Sequence, residues 1–167
     1  MSKKDKKSRV SQINPDKLSF IPLGGSEQFG VNCNLYAYEN SWLMVDLGMG
    51  FADENLPGID IILPDLDIVI ENKDKLSGLV ITHAHEDHIG AVAHIWPQLQ
   101  CPVYCTAFTA EVLRGKFKEH KECKNAVINE ISADDHIDIG PFEIEFVHMS
   151  HSIPETVAMY IQTEAGP

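Results

Sequence analysis

Residues 78–91 constrain the fold more than any other stretch, and they read Gly-Leu-Val-Ile-Thr-His-Ala-His-Glu-Asp-His-Ile-Gly-Ala. Residues 79–81 are apolar and mostly β-branched, which is typical of a strand buried on both faces. An apolar run at residues 89–96 ends before Pro97, so we predict a helix packed on that strand. In an α/β sheet, active sites form at the carboxyl ends of strands. At this end lie four side chains of types that bind metals: His83, His85, Asp87 and His88.

The spacing of these side chains predicts two metal positions. His83 and His85 are two residues apart, so in an extended segment both imidazoles point the same way and reach one ion. Asp87 and His88 follow the turn toward the helix and point to a second position. Two metal ions about 3.5–4 Å apart can stabilise the attacking and leaving oxygens of a hydrolysis. Imidazole and carboxylate ligands favour zinc, with manganese as the alternative.

A simpler interpretation is a polar turn in which Asp87 caps the following helix. That interpretation accounts for the aspartate but not for three histidines in a His-x-His-x-Asp-His order, so we favour the metal site. The His-Glu-x-x-His motif of zincin proteases does not apply, because it needs histidines four apart. His85 and His88 are three apart.

The segment from His83 to His88 resembles the signature of the metallo-β-lactamase superfamily. The longer stretch 82–91, with Pro-Leu-Gly-Gly at 22–25 and Ser-His-Ser-Ile-Pro at 150–154, is similar to the ribonuclease J family of the β-CASP branch. The resemblance extends from about residue 18 onward. It implies a mixed α/β fold, the αββα metallo-β-lactamase sandwich. We expect residues 18–167 to form its N-terminal half, and the β-CASP domain and the remaining ligands to be absent.

The resemblance also implies roles for single residues. His151 matches the third ligand position, beside His83 and His85. The competitor is His148, which lies on a strand of alternating pattern, and we predict a structural role for it. The strand at residues 142–148 places Phe142, Ile144 and Phe146 on one face. With only half of the sandwich present, we expect that face to lack a full cover.

Asp87 and His88 are the predicted catalytic residues. They would hold part of the second ion, and Asp87 would also orient the attacking water. In the superfamily an aspartate at the end of an early strand supports by hydrogen bonds the loop that carries the histidines, here residues 82–88 (the histidine loop), and Asp46 matches that position. Metal ligands need such support for their orientation.

The charge of the chain is −12 and is unevenly distributed. Of 13 basic and 25 acidic residues, residues 1–17 hold 6 and 2, which leaves 7 and 23 for the rest. We predict that residues 1–17 form a disordered basic arm. The acidic remainder argues against RNA binding by this segment alone. Five of its basic residues lie within residues 114–124, either as a phosphate-facing patch or, as we favour, a solvated helix face.

Other features concern location. No apolar run approaches the roughly 20 residues of a membrane helix, and no signal peptide is evident. The four cysteines show no zinc-ribbon spacing. We therefore predict that they are reduced thiols packed as small hydrophobic groups. We therefore predict a cytoplasmic protein without a membrane partner.

The leading functional hypothesis is a metal-dependent ribonuclease with exonuclease (5′–3′) and endonuclease modes in RNA processing and decay. The expected partners are RNA, the remainder of its own chain with the β-CASP domain, and further copies in a homo-oligomer when full length. We expect residues 1–167 alone to be inactive. One alternative is another hydrolase of this fold, such as a glyoxalase II-like thioesterase or a lactonase. The other is an inactive fragment that acts only as a folded module.

Overall fold

The computed structural model describes residues 13–26, 30–52 and 54–167. Most of the predicted basic arm, residues 1–12, lies outside the described residues. Residues 13–17 contain a turn, and the backbone oxygen of Pro15 accepts a hydrogen bond of 3.0 Å from the nitrogen of Glu39. Ile13 packs against the hydrophobic core. The described chain is therefore packed onto the fold from residue 13.

The described chain begins with five strands, continues with helices placed between strands, and ends with four strands. The strands are β1 (Ser19–Gly24), β2 (Cys33–Tyr38), β3 (Ser41–Val45), β4 (Gly50–Phe51), β5 (Ile61–Ile62), β6 (Leu76–Val80), β7 (Val103–Thr106), β8 (Ile128–Ile131), β9 (His136–Ile139), β10 (Phe142–His148) and β11 (Val157–Gln162). The α-helices are α1 (Asp67–Ile70), α2 (Glu86–Ile89), α3 (Val92–Leu99) and α4 (Ala107–Glu119). Short 3₁₀ turns span Lys73–Lys75 and Lys121–Cys123. None of the helices in the described part is long and apolar enough to cross a bilayer.

The strands form one large sheet and two smaller ones. The large sheet has the order β1-β2-β3-β6-β7-β8, and a three-stranded sheet has the order β11-β10-β9. In the large sheet β1, β2 and β3 are antiparallel neighbours, whereas β3, β6, β7 and β8 run parallel. The remaining pair, β4-β5, is a short antiparallel ribbon. The mixed α/β fold predicted from the sequence is confirmed.

The core has two parts, one on each face of the large sheet. Side chains alternate between the faces of a strand, so Trp42 and Met44 of β3 join the helices on one side. Leu43 and Val45 join the three-stranded sheet on the other side. Helices, large sheet and small sheet therefore form three successive layers.

The prediction that the face of β10 lacks a cover was wrong. Phe142, Ile144 and Phe146 are at most 2% exposed. They pack in one cluster with Leu43 and Val80 of the large sheet. The two sheets cover each other, so this apolar face needs no further partner.

The helix after the histidine stretch also differs from the sequence prediction. The apolar run divides into α2 and α3, and α3 continues through Pro97 to Leu99. It ends where Gln100 takes a left-handed conformation with φ 55°. Because Pro97 has no N–H, the oxygen of Ala93 lacks its usual donor four residues on. The Sγ–H of Cys123 donates to that oxygen at 3.4 Å instead, which explains why the proline is tolerated.

Candidate metal centre

Backbone hydrogen bonds join the loops at the carboxyl ends of β3 and β6 to each other and to the residue before β2. The nitrogen of Leu47 donates to the oxygen of His88 at 2.8 Å, and the nitrogen of Asn32 donates to the oxygen of Asp87 at 2.9 Å. Gly48 allows this approach, because a Cβ there would lie only 1.7 Å from the oxygen of Asp87. The glycine is therefore required by the contact and not by its own dihedral angles.

Asp46 lies at the centre of the site and is buried. Its Oδ1 accepts hydrogen bonds from the backbone nitrogen of Thr82 at 2.8 Å and from Oγ1 of Thr82 at 3.0 Å. Its Oδ2 lies 2.7 Å from Nδ1 of His88. The residue has φ 61°, a left-handed conformation that aspartate tolerates better than most side chains. One carboxylate thus contacts two residues of the histidine loop.

These contacts fix which ring nitrogen carries the proton in two histidines. A carboxylate only accepts hydrogen bonds, so Nδ1 of His88 carries the proton that Asp46 receives. The single hydroxyl proton of Thr82 goes to Asp46, so its Oγ1 accepts from Nδ1 of His83 at 2.9 Å. In both rings the lone pair lies on Nε2. Metal-binding histidines depend on this kind of hydrogen bond for their orientation and tautomer.

His83, His85 and His151 form the one group among the described residues whose spacing suits a metal ion. Each offers one ring nitrogen, and these atoms lie within 4.8 Å of one another. Nε2 of His83 is 3.1 Å from Nδ1 of His85. The ring centroid of His151 lies 4.8 Å from that of His83 and 4.9 Å from that of His85. Three imidazole donors with an open fourth position are a common ligand set of catalytic zinc.

The charge state of His83 suits a ligand. Burial is the main cause that lowers its pKa to about 4, and the neighbouring imidazoles of His88, His85 and His151 lower it further. The ring is therefore neutral at pH 7, as metal binding requires. Burial also acts to lower the pKa of His88, but the hydrogen bond and charge of Asp46 and the charge of Asp87 outweigh it, and the pKa is raised.

Asp87 and His88 lie beside the three-histidine group but are not part of it. Nε2 of His88 is 3.4 Å from Oδ2 of Asp87, and the rings of His83 and His88 have centroids 4.0 Å apart. Asn32 lies against both residues, since its Nδ2 is 3.0 Å from Oδ2 of Asp87 and 3.1 Å from Nε2 of His88. These three side chains form an adjoining polar cluster.

The turn that carries His151 is attached to the rest of the site. The backbone nitrogen of Val157 donates to the oxygen of Thr82 at 3.1 Å, which ties the turn to the histidine loop. The carboxylate of Glu155 accepts a hydrogen bond of 2.8 Å from the backbone nitrogen of Phe108, in the first turn of α4. His151 itself is exposed at the rim of the group.

His148, the competitor for the third ligand position, is exposed at the end of β10 and is not a member of the three-histidine group. Sequence reasoning missed Thr82 and Asn32. Thr82 could have been found from its place directly before His83. Asn32 had no signal of its own, because only the folded chain brings it to Asp87.

A comparison with known families decides the identity of the fold. Residues 27–162 match the sequence model of the family described as "Metallo-beta-lactamase superfamily". The chain belongs to this superfamily. Similar proteins include ribonuclease J of Sinorhizobium meliloti, 40% identical over 98% of this chain and 30% of the relative. Ribonuclease J of Helicobacter pylori strain 26695 is 36% identical over 96% of this chain and 25% of the relative.

Another relative matches the chain in sequence over part of its own length, and a solved structure matches it in fold. Ribonuclease J of Thermus thermophilus is 35% identical over 93% of this chain and 29% of its own length. The chain therefore spans about 25–30% of the curated relatives named here. The metallo-β-lactamase fold protein YhfI of Bacillus subtilis superposes with a TM-score of 0.63 at 19% identity, over 88% of this chain and 59% of that protein. That likeness concerns the fold alone.

Proposed function

We propose that this chain supplies metal-binding residues of a ribonuclease that hydrolyses phosphodiester bonds in RNA, as an exonuclease and an endonuclease. The observation that carries the proposal is the group of His83, His85 and His151, whose ring nitrogens lie within 4.8 Å of one another. The relatives named ribonuclease J, at 35–40% identity, support RNA as the substrate. The activity belongs to the whole protein, because the chain spans only part of those relatives.

The donor set fits zinc, with manganese as the alternative. His83, His85 and His151 would hold one ion, and Asp87 with His88 would hold part of a second. When bound, such an ion acts as a Lewis acid on a phosphoryl oxygen and makes a bound water a stronger nucleophile. The fit rests on the position of the nitrogen lone pairs, since Asp46 and Thr82 place the ring protons of His88 and His83 on Nδ1 and leave Nε2 as the atom that would bind metal.

The chain's own residues have separate tasks in this proposal. Asp87 accepts a hydrogen bond from the attacking water and orients it, because 44% of its side chain is exposed and one oxygen is held by Asn32 at 3.0 Å. Asp46 is buried and holds the histidine loop in place through its hydrogen bonds with Thr82 and His88, without contacting substrate. Its role is to keep the rings of His83 and His88 aligned.

The proposal includes the finer points that the resemblance implies. The whole protein would carry a β-CASP domain, act on RNA in the cytoplasm and assemble as a homo-oligomer. Residues 1–167 alone would be inactive, because they span only about 25–30% of the relatives named ribonuclease J. Zinc binding by residues 1–167 and RNA hydrolysis by the whole protein are therefore separate expectations.

The test is an assay of the whole protein on 5′-monophosphorylated RNA, before and after treatment with a chelator. We expect RNA cleavage that the chelator abolishes and that zinc or manganese restores. His83→Ala should abolish it, whereas His148→Ala, an exposed histidine outside the group, should leave it unchanged. Hydrolysis of a thioester or a lactone, without cleavage of RNA, would replace the ribonuclease by another hydrolase of the same superfamily. Chelator-insensitive RNA cleavage would exclude the metal role proposed for the histidines.

A further inference from the structure

An open groove of about 800 Å³ lies between α4, the 3₁₀ turn Lys121–Cys123 and β8. Its size is within the range of small-molecule pockets, roughly 300–1,000 Å³. The groove has a charge opposite to that of the chain as a whole, which is −12. Four basic residues and no carboxylate line it, and these basic residues are Arg114, Lys118, Lys121 and Lys124.

The lysines of this groove are not neutralised by neighbours. Arg114 has partners, since its guanidinium lies 2.6 Å from Glu130 and 3.6 Å from Glu111. Within the described part of the chain, Lys118, Lys121 and Lys124 have no carboxylate in ion-pair contact, and all three are exposed. Their charges are therefore available to an anion that enters the groove.

The floor of the groove is apolar. Phe117, Ala126 and Ile128 line it and are only partly buried, so their apolar surface remains accessible between the lysines. A small inorganic anion would make no favourable contact with these apolar side chains. A ligand that fits both features carries several negative charges and flat apolar groups.

The groove is separate from the metal-binding group. Residues four apart on a helix share a face, and residues two apart lie on roughly opposite faces. Arg114 and Lys118 therefore face the groove, whereas Lys116 faces away and forms an ion pair of 2.6 Å with Glu86 in the histidine loop. Helix α4 thus has the groove on one side and the histidine loop on the other.

We propose that this groove binds single-stranded RNA outside the hydrolytic site, with phosphates on Lys118, Lys121 and Lys124 and a base on the apolar floor. The basic, carboxylate-free lining and the apolar floor of the groove favour a phosphate-facing patch over the solvated helix face preferred from the sequence, and the charge of the groove is complementary to RNA. Proteins that bind single strands without sequence preference combine a basic track with surfaces on which bases stack. The inference goes beyond the proposed hydrolysis and rests on it only for the identity of the nucleic acid.

The test measures the binding of a fluorescent 12-nucleotide oligouridine to the protein by anisotropy, in the presence of EDTA so that no hydrolysis occurs. The variant Lys118→Ala/Lys121→Ala/Lys124→Ala should bind about tenfold or more weakly at low salt. Its plot of log affinity against log salt should be less steep by about 2, since each phosphate contact on a single strand contributes about 0.7. The matched control Lys17→Ala/Lys73→Ala/Lys75→Ala removes the same charge elsewhere and should change the affinity less than twofold.

Further measurements on variants and competitors complete the test. A triple Lys→Arg variant at 118, 121 and 124 should restore binding, and thermal melting should show that all variants are folded. Unchanged binding in the groove variant, or equal losses in groove and control variants, would overturn the proposal. Equal competition by polyglutamate of the same charge would show that the groove accepts any polyanion and would overturn the RNA assignment. Because no metal is present, failure of the hydrolysis assay does not affect this result, and failure here leaves hydrolysis intact.

Discussion

Oδ2 of Asp46 lies 2.7 Å from Nδ1 of His88, although the two residues are 42 positions apart in the sequence. The same carboxylate accepts hydrogen bonds from the backbone and the hydroxyl of Thr82, which in turn accepts one from His83. One buried acid therefore sets the tautomers of two histidines. This relationship makes several consequences measurable.

In the whole protein, Asp46→Asn should weaken the binding of the second metal ion, which Asp87 and His88 would hold, by about 10–100-fold, the usual effect of removing a hydrogen-bonding partner of a metal ligand. An asparagine at position 46 can still accept from Thr82 with its Oδ1, but its NH₂ group then faces Nδ1 of His88. That ring must shift its proton to Nε2, where the lone pair is needed. Isothermal titration gives the affinity, and NMR of the imidazole nitrogens gives the tautomer. A loss of affinity with an unchanged His88 tautomer would contradict the mechanism.

Two glycines should respond to alanine in opposite ways. Gly48→Ala should lower the free energy of unfolding by about 1–3 kcal/mol, because the new Cβ would lie 1.7 Å from the backbone oxygen of Asp87. Gly115→Ala should raise it by about 0.5–1 kcal/mol, because the residue lies inside α4 with no atom within 4 Å of the new Cβ. Urea unfolding of both variants measures the two values. Destabilisation by Gly115→Ala would show that α4 is not as described.

The four cysteines should be unreactive in the folded protein. All are buried free thiols, and burial raises the pKa of Cys101 and of Cys105 to about 12. The thiolate is the reactive form, so Ellman's reagent at pH 7.5 should label none of them until denaturant is added. Rapid labelling of one thiol under native conditions would show that the core around it opens readily.

The stability of the metal-free protein should depend on pH through His83. Its pKa is lowered to about 4 in the folded chain from an ordinary value of 6.5, so the unfolded chain binds the proton first as the pH falls. The contribution of His83 to stability is therefore present above pH 6.5 and is lost as the pH falls toward about 4. The raised pKa of His88 has the opposite sign, and its contribution is lost as the pH rises through the folded pKa.

The measurement for His83 is urea unfolding at pH 7.5 and 4.5 in EDTA, for the wild type and for His83→Gln. The variant should lose less stability between the two values, because it has no ring to protonate. An equal loss in both proteins would show that other groups cause the pH dependence.

Local patterns predicted much of the fold because the relevant physics is local. The turn between β2 and β3 consists of Glu39 and Asn40, which both take positive φ, a conformation that asparagine adopts more readily than most residues. Strand β10 has the bounds, residues 142–148, that its alternating pattern predicts. The cover of Phe146 was missed because it depends on contact between two sheets, and the helix end at Pro97 was missed because Cys123 replaces its lost hydrogen bond.

The site shows the same division between local and distant information. The motif places His83 and His85 within one loop, so the spacing of two residues predicts that they lie close together. The contact of Asn32 with Asp87 joins residues 55 positions apart, and no sequence pattern predicts it. The place of His151 beside the other two histidines came from the family resemblance, because an isolated histidine in a turn carries no such information.

The central claim is that His83, His85 and His151 bind one metal ion, and zinc K-edge X-ray absorption on the chain loaded with one equivalent of zinc tests it most directly. The account predicts three imidazole nitrogens at about 2.0–2.1 Å. It also predicts two such nitrogens and weaker binding in His151→Ala, and an unchanged spectrum in His148→Ala. A spectrum that loses an imidazole in His148→Ala, or that is unchanged in His151→Ala, would contradict it.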